Sequence, residues 1–131
     1  MSYKYPIPTG WIKMRLWDAL EVIESGGRPL GGSNENDGIF SLGGEHITDD
    51  GNFDFSSPQF VSYTFFTGMS DKAKIIQGDI LINKDGAKTG KLSIVREEFP
   101  YKEAAVNEHV FRLRAKTNLV LNEYLYAFLF A

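Results

Sequence analysis

Short apolar runs separated by polar turns make up most of the chain. Residues 80–82 and 92–95 are two such runs, and the residues between them are mostly polar or glycine. Aliphatic and β-branched residues that flank Gly, Asn and Asp are typical of strand, turn and strand. The pattern therefore predicts a hairpin with Lys84, Lys88 and Lys91 on its exposed connection. Such loops often carry binding function, although an ordinary hairpin with solvated lysines explains the pattern equally simply.

Apolar residues at helical spacing predict a helix near each end of the chain. The first is a short helix around residues 16–20. The following residues, 21–25, either continue that helix or form a strand. Near the other end, an apolar stretch predicts a final helix with Asn118 or Asn122 as its cap.

Alternation of apolar and charged residues predicts a half-buried strand from Val110 onward. In this strand Phe111 and Leu113 would face inward, and Arg112 and Arg114 would face solvent. Many short strands with a helix near each end predict an α+β fold. We expect one compact domain over residues 1–131, with a curved, mostly antiparallel sheet.

Length and composition limit the classes of protein to which the chain can belong. Its 131 residues suffice for one domain with a buried core. The absence of cysteine excludes disulfides, thiolate metal sites and a cysteine nucleophile. The start has no signal-peptide pattern, and no apolar run approaches the roughly 20 residues that span a bilayer. These features predict a cytoplasmic protein without membrane partners.

The net charge of −3 is unevenly distributed along the sequence. Residues 1–71 contain four basic and ten acidic side chains, whereas residues 72–116 contain ten basic and six acidic ones. Because opposite potentials can occupy different faces of one protein, the sum does not exclude a basic surface. The middle of the chain is compatible with a surface that faces phosphates.

The candidate catalytic and metal-binding patterns are weak. Residues 86–92 resemble a phosphate loop, but one residue is missing between the glycines and Leu92 replaces the magnesium-binding Ser or Thr. His46 lies among carboxylates at residues 45–50, and a single imidazole is a weak metal signal. His109 has no nucleophile nearby in sequence, and the chain has no G-x-S-x-G motif. We therefore predict no catalytic residue, no metal and no cofactor on this chain.

DNA binding matches the chemistry of the loops better. Cations meet phosphates, while amide, hydroxyl and imidazole groups can address base edges. Glycines in the loops allow the backbone to approach a groove closely. The predicted phosphate contacts are Arg28, Lys84, Lys88 and Lys91, and the predicted base contacts are Asn34, Thr89, Asn107 and His109.

Four segments in this order resemble the target recognition domain of type I restriction–modification specificity subunits. Residues 16–29 are similar to the opening helix, strand and Ser-Gly-Gly-x-Pro turn of that family. Residues 78–91 resemble its Gly-Asp-aliphatic strand followed by G-x-x-x-G-K. Residues 105–111 resemble its later Asn-centred segment, and residues 122–129 its closing helix. The resemblance covers most of the chain, from about Met14 to Phe130.

The resemblance implies a non-catalytic protein that binds double-stranded DNA and specifies the target of a larger complex. Its implied partners are modification subunits, which use S-adenosylmethionine to methylate adenine, with a restriction subunit as a further partner that the assembly can recruit. The chain carries one recognition domain without the family's spacer helices, which suggests a half or a fragment of a specificity subunit. The positions that contact bases vary within the family, so the site residues above come from charge and loop position.

Two other functions remain open from the sequence. The first is a protein-interaction module that uses Tyr63, Phe65 and Phe66, or the apolar final helix, without binding DNA. The second is a recognition domain taken from a fused restriction–methylation enzyme. A pull-down that survives high salt would favour the first, and the neighbouring coding sequence would identify the second.

Overall fold

The structure, a computed structural model, describes residues 6–33 and 35–131. It has an α+β fold, as predicted, with the strands divided between two sheets that do not close into a barrel. The strands are β1 (Leu20–Ser25), β2 (Ile39–Leu42), β3 (Phe60–Val61), β4 (Ile80–Asn83), β5 (Leu92–Ile94), β6 (Ala104–Val106) and β7 (Val110–Ala115). The α-helices are α1 (Leu16–Ala19), α2 (Tyr63–Thr67) and α3 (Asn122–Phe130).

The two sheets have different pairing patterns. The larger one has the strand order β1-β7-β4-β5 and is antiparallel throughout. The smaller one has the order β3-β2-β6, in which β2 is antiparallel to β3 and parallel to β6. Short helical turns at Gly44–His46 and Asp71–Ala73 lie in the connections.

Buried apolar residues form three clusters that stack the elements in layers. The central cluster joins the two sheets, with Leu81 and Val110 from the larger and Phe40 from the smaller. A second cluster packs α3 on the larger sheet through Leu125. A third packs α2 on the smaller sheet through Phe66. The order is therefore helix, sheet, sheet, helix, and burial of both faces of each sheet stabilises the fold.

The predicted hairpin and first helix are confirmed. β4 and β5 pair over Ile80 to Ile82, and the connection between them is exposed. α1 is a single turn, since the backbone of Leu20 is already extended. The ambiguous segment after it is the strand β1, which pairs with β7 in the larger sheet and buries Leu20 and Val22. Here tertiary packing decides between the two local alternatives.

The prediction that Arg112 faces solvent is wrong. Arg112 is only 2% exposed and donates through Nε to the carboxylate of Asp79, which is fully buried. Its Nη1 also donates to the carbonyls of Asp71 and Lys72. Arg114 binds the same carboxylate, with its Nε 3.1 Å from Asp79 Oδ1. Both sheet faces are covered here, so alternation does not leave one of them to solvent.

The predicted cap of the final helix is also wrong. The residue at the cap position is Leu121, without a side-chain cap bond. Asn122 instead accepts a hydrogen bond at Oδ1 from the amide of Ala115, at 2.8 Å, and so ties the start of α3 to the end of β7. Within the described residues, no helix is long and apolar enough to cross a membrane.

Candidate nucleic-acid interface

Three loops meet at one end of the larger sheet. Because the strands are antiparallel, β1 and β4 end where β7 and β5 begin; Ser25 pairs with Phe111, and Asn83 pairs with Val110. The loops attached there are residues 26–33, 84–91 and 107–109, which we call the loop edge. Its segments come from three of the four regions that carry the family resemblance.

The first loop is fastened to the third by hydrogen bonds to backbone carbonyls. Ser25 Oγ lies 3.1 to 3.3 Å from the carbonyls of Asn107, Glu108 and Val110. The amide of Gly26 donates to the carbonyl of Asn107 at 3.2 Å. A Cβ atom at Gly26 would lie 1.8 Å from the carbonyl oxygen of Val106, so only glycine fits. The Ser-Gly pair therefore serves as the joint between the two loops.

Asn107 is part of that joint and lies inside the protein. Its side chain is 3% exposed, and its Oδ1 accepts a hydrogen bond from the amide of His109 at 2.8 Å. The side chain orders the turn before β7, and burial keeps it from a base edge in this conformation. We leave Asn107 out of the proposed contact surface for that reason.

Arg28 and Glu108 form an exposed ion pair across the two loops. Arg28 Nε lies 2.9 and 3.0 Å from the two carboxylate oxygens of Glu108, and Nη2 donates to the same carboxylate. The side chains are 34% and 41% exposed. The hydrogen bonds raise the pKa of Arg28 and lower the pKa of Glu108, so both groups are charged at neutral pH.

His109 links this pair to the hairpin connection. Its Nδ1 lies 2.7 Å from Asp85 Oδ1, while its Nε2 lies 3.4 Å from both Arg28 Nη2 and Glu108 Oε1. Its carbonyl accepts a hydrogen bond from the amide of Lys84 at 2.9 Å. Arg28, Glu108, His109 and Asp85 thus form a continuous polar row along the loop edge.

The three lysines of the hairpin do not share one face. Lys84 Nζ lies 4.8 Å from the centroid of the Phe111 ring, which packs against the cluster under α3. Lys91 Nζ points to the other side and donates to the carbonyls of Gly44 and Ile47, beside the central cluster. Burial and the nearby Lys88 lower the pKa of Lys91. Lys91 therefore fastens the hairpin to residues 44–47, and we do not count it among the contacts.

The tip of the hairpin is exposed. Lys88 is exposed and has no acidic partner within the described part of the chain. Thr89 is exposed too, and its hydroxyl donates to the carbonyl of Gly86 at 2.7 Å, which stabilises the turn. Asn34, the remaining predicted base contact, lies outside the described residues. Contact of any of these residues with DNA stays a prediction.

Two acids of the loop edge, Glu108 and Asp85, are not among the site residues predicted from the sequence. Glu108 and Asp85 pair with Arg28 and His109, respectively, and reduce the local positive charge. Their positions in the sequence could have identified them, because Glu108 lies between Asn107 and His109, and Asp85 follows Lys84. Net charge along the sequence does not show that these acids pair with Arg28 and His109, so the predicted contacts overstated the basic character of this surface.

The described residues contain no group of three or more side chains suited to a metal ion. His46, the weak candidate, is buried. Its Nδ1 accepts a hydrogen bond from the amide of Gly43 at 2.9 Å, and its Nε2 lies 3.0 Å from the carbonyl of Ser57. The ring holds two backbone segments together, so both nitrogens are already engaged.

Comparison with known proteins does not add a family to this picture. No model of a protein family matches the sequence, and no curated protein matches it significantly. The four sequence segments and the geometry of the loop edge are therefore the features that bear on function.

Proposed function

We propose that the chain binds double-stranded DNA with sequence specificity, without catalysing a reaction, as a target recognition domain of the type I specificity class. The observation that carries the proposal is the joining of three resembling segments at the loop edge. Segments that are far apart in sequence are bonded directly there, through Ser25, Gly26 and Arg28 on one side and residues 107–109 on the other. Protein loops held by a sheet are suited to recognition.

The chemistry of the edge fits a duplex groove better than a bare phosphate surface. Lys84 and Lys88 supply cations for the backbone, and such contacts position a protein without reading sequence. The row from Arg28 to Asp85 supplies donors and acceptors of both charges, as base edges require. We expect a surface that carries both cations and carboxylates to bind non-specific DNA weakly. Affinity should rise where its donors and acceptors match those of the base edges.

The proposal includes the partners implied by the resemblance. A non-catalytic recognition domain acts by bringing a modification subunit, with its S-adenosylmethionine, to the target adenine. A restriction subunit could join the same assembly. These partners would contact surfaces away from the loop edge, because that edge faces the DNA.

Selection from a random pool of duplexes tests binding and specificity together. The expected result is a short enriched motif, and the affinity for that motif should fall steeply with salt. Between about 50 and 200 mM salt, each phosphate contact adds roughly 0.9 to the negative slope of log affinity against log salt. A pool that shows no enrichment, or an affinity that ignores salt, contradicts the proposal.

A second candidate function, protein binding without DNA, is favoured by one observation. Leu121, Tyr124 and Phe128 are 68%, 54% and 66% exposed. Leu121 precedes α3, the other two lie in it, and the spacing of three and four residues places all three on one face of the helix. Such apolar faces often contact other proteins. In the other predicted segment, Tyr63 is exposed but Phe66 is buried. Binding to a protein in high salt with no affinity for any duplex would favour this function.

A further inference from the structure

Glu108 holds the guanidinium of Arg28 in one orientation. It occupies the edge formed by Nε and Nη2, with Nε 2.9 and 3.0 Å from the carboxylate oxygens. Nη1 makes no hydrogen bond to any described residue. On the far edge, formed by Nη1 and Nη2, both N–H groups of Nη1 have no described partner. The second N–H of Nη2 has only the long contact of 3.4 Å with His109 Nε2. One edge of Arg28 is fixed and the opposite edge can bind a ligand.

We propose that this open edge of Arg28 reads a guanine in the major groove of the bound duplex, an inference that rests on the proposed function. Guanine presents two neighbouring acceptors there, O6 and N7, and bidentate contact with arginine is the commonest specific contact with DNA. Because Glu108 already fixes the side chain, little of its rotamer freedom remains to be lost on binding. Glu108 is the positioning residue of this contact.

The surrounding charges favour a base over a phosphate as the ligand. Glu108 touches Arg28, and Asp85 lies at the far end of the row, bonded to His109. A phosphate approaching Arg28 would meet these carboxylates, and like charges at short distance repel. A guanine edge is neutral and carries no such cost. The same acids that weaken a phosphate site are therefore compatible with a base-reading site.

The loop that carries Arg28 can approach a groove closely. Gly31 and Gly32 follow it with φ values of 89° and 94°, a backbone region that side chains other than glycine rarely adopt. The amide of Gly32 donates to the carbonyl of Pro29 at 2.9 Å and closes a turn there. No bulky side chain at positions 31 and 32 separates this part of the backbone from a ligand.

Selection from a random duplex pool by the wild-type chain, Arg28→Ala, Arg28→Lys and Glu108→Gln tests the inference. The wild type should enrich a motif with one position fixed as guanine. Arg28→Ala should lose the preference at that position alone, by about 5- to 150-fold, the range for one bidentate base contact. Arg28→Lys should keep only part of it, because an ammonium lacks the planar fork of the guanidinium. Glu108→Gln should weaken the same preference, and the salt slope should stay unchanged in all three variants.

A matched control lies at the opposite end of the larger sheet. Arg96 follows β5, and its Nη2 lies 3.4 Å from Glu123 Oε2 in the first turn of α3, so this is also an exposed Arg–Glu pair. Arg96→Lys and Glu123→Gln should enrich the wild-type motif unchanged. Circular dichroism on all five variants should show the wild-type fold, because both ion pairs are exposed.

Two other results would overturn the inference and can be told apart. If the wild type enriches a motif but Arg28→Ala weakens all sequences equally and lowers the salt slope by about one unit, while Arg28→Lys keeps the slope, Arg28 contacts a phosphate. The proposed function then stands and the guanine contact is wrong. If the wild type enriches no duplex, the inference and the proposed function are both wrong.

Discussion

The chain uses arginine–carboxylate pairing in two regions with opposite exposure. Asp79 is fully buried beside the larger sheet, where it accepts hydrogen bonds from Arg112, Arg114 and the amide of Ile76. Glu108 makes a similar pair with Arg28 at the exposed loop edge. Removing one partner from a buried pair leaves an uncompensated charge without water, whereas an exposed pair is replaced by hydration.

The difference in exposure gives the two pairs different roles: the buried pair stabilises the fold, and the exposed pair is available to a ligand. Burial raises the pKa of Asp79 to about 6, and the amide of Ile76 and the charge of Arg114 oppose that rise. The carboxylate is thus mostly ionised at neutral pH, and all its neighbours are protein groups. The pair at the loop edge has one side open to solvent, so a ligand can join it. The same residue types fix the fold in one place and present donors in the other.

The largest effect should come from Asp79→Asn. The substitution keeps the shape of the side chain but leaves two arginines without their negative partner. We expect a loss of about 3–5 kcal/mol of unfolding free energy, the range for breaking a buried pair. Urea denaturation followed by circular dichroism measures it. Glu108→Gln is the exposed counterpart and should change stability by about 1 kcal/mol or less; equal losses would contradict the comparison.

The joint between the first and third loops should be the next most sensitive place. Gly26→Ala puts a methyl group against the carbonyl of Val106, and we expect a loss of about 1–3 kcal/mol from overpacking. Gly27→Ala is the matched control, because a Cβ atom there meets nothing within 4 Å and its φ is not positive. The melting temperatures of both variants, measured by thermal unfolding, test this expectation. Similar melting temperatures would show that the close contact at Gly26 is not needed for stability.

A smaller effect should distinguish two lysines of the hairpin. Lys91→Met removes the donor to the carbonyls of Gly44 and Ile47, and we expect about 1 kcal/mol of destabilisation with no change in salt slope. Lys88→Met should leave stability within about 0.5 kcal/mol. If Lys88 meets a phosphate, the same variant should lower the salt slope of DNA binding by about one unit. A loss of stability in Lys88→Met, or a lower salt slope in Lys91→Met, would contradict these two roles.

Local patterns were enough to predict the fold class, the β4–β5 hairpin and the helices near both ends. They failed where partners come from distant parts of the chain. Arg112 alternates with apolar neighbours as an exposed residue would, yet Asp79, 33 positions earlier, draws it inside. The sequence around Lys91 is typical of a solvated lysine, but the carbonyls that bind it belong to Gly44 and Ile47, 47 and 44 positions earlier.

The candidate site was predicted in part for the same reason. The loops that form the edge were recognisable from their glycines and cations, and Arg28, Lys84 and His109 do lie there. Burial of Asn107 could not be predicted, because its position depends on how the turn before β7 docks on Gly26. The pairing of Arg28 with Glu108, 80 positions apart, likewise appears only in three dimensions.

Backbone amide NMR during titration with a selected duplex shows where the DNA binds. We expect shift changes at the loop edge, residues 26–33, 84–91 and 107–109, with the amides of α3 unchanged. Shift changes confined to α3 or α2 would contradict DNA binding at the loop edge. An unchanged spectrum at a duplex concentration well above the dissociation constant of that duplex would contradict it too.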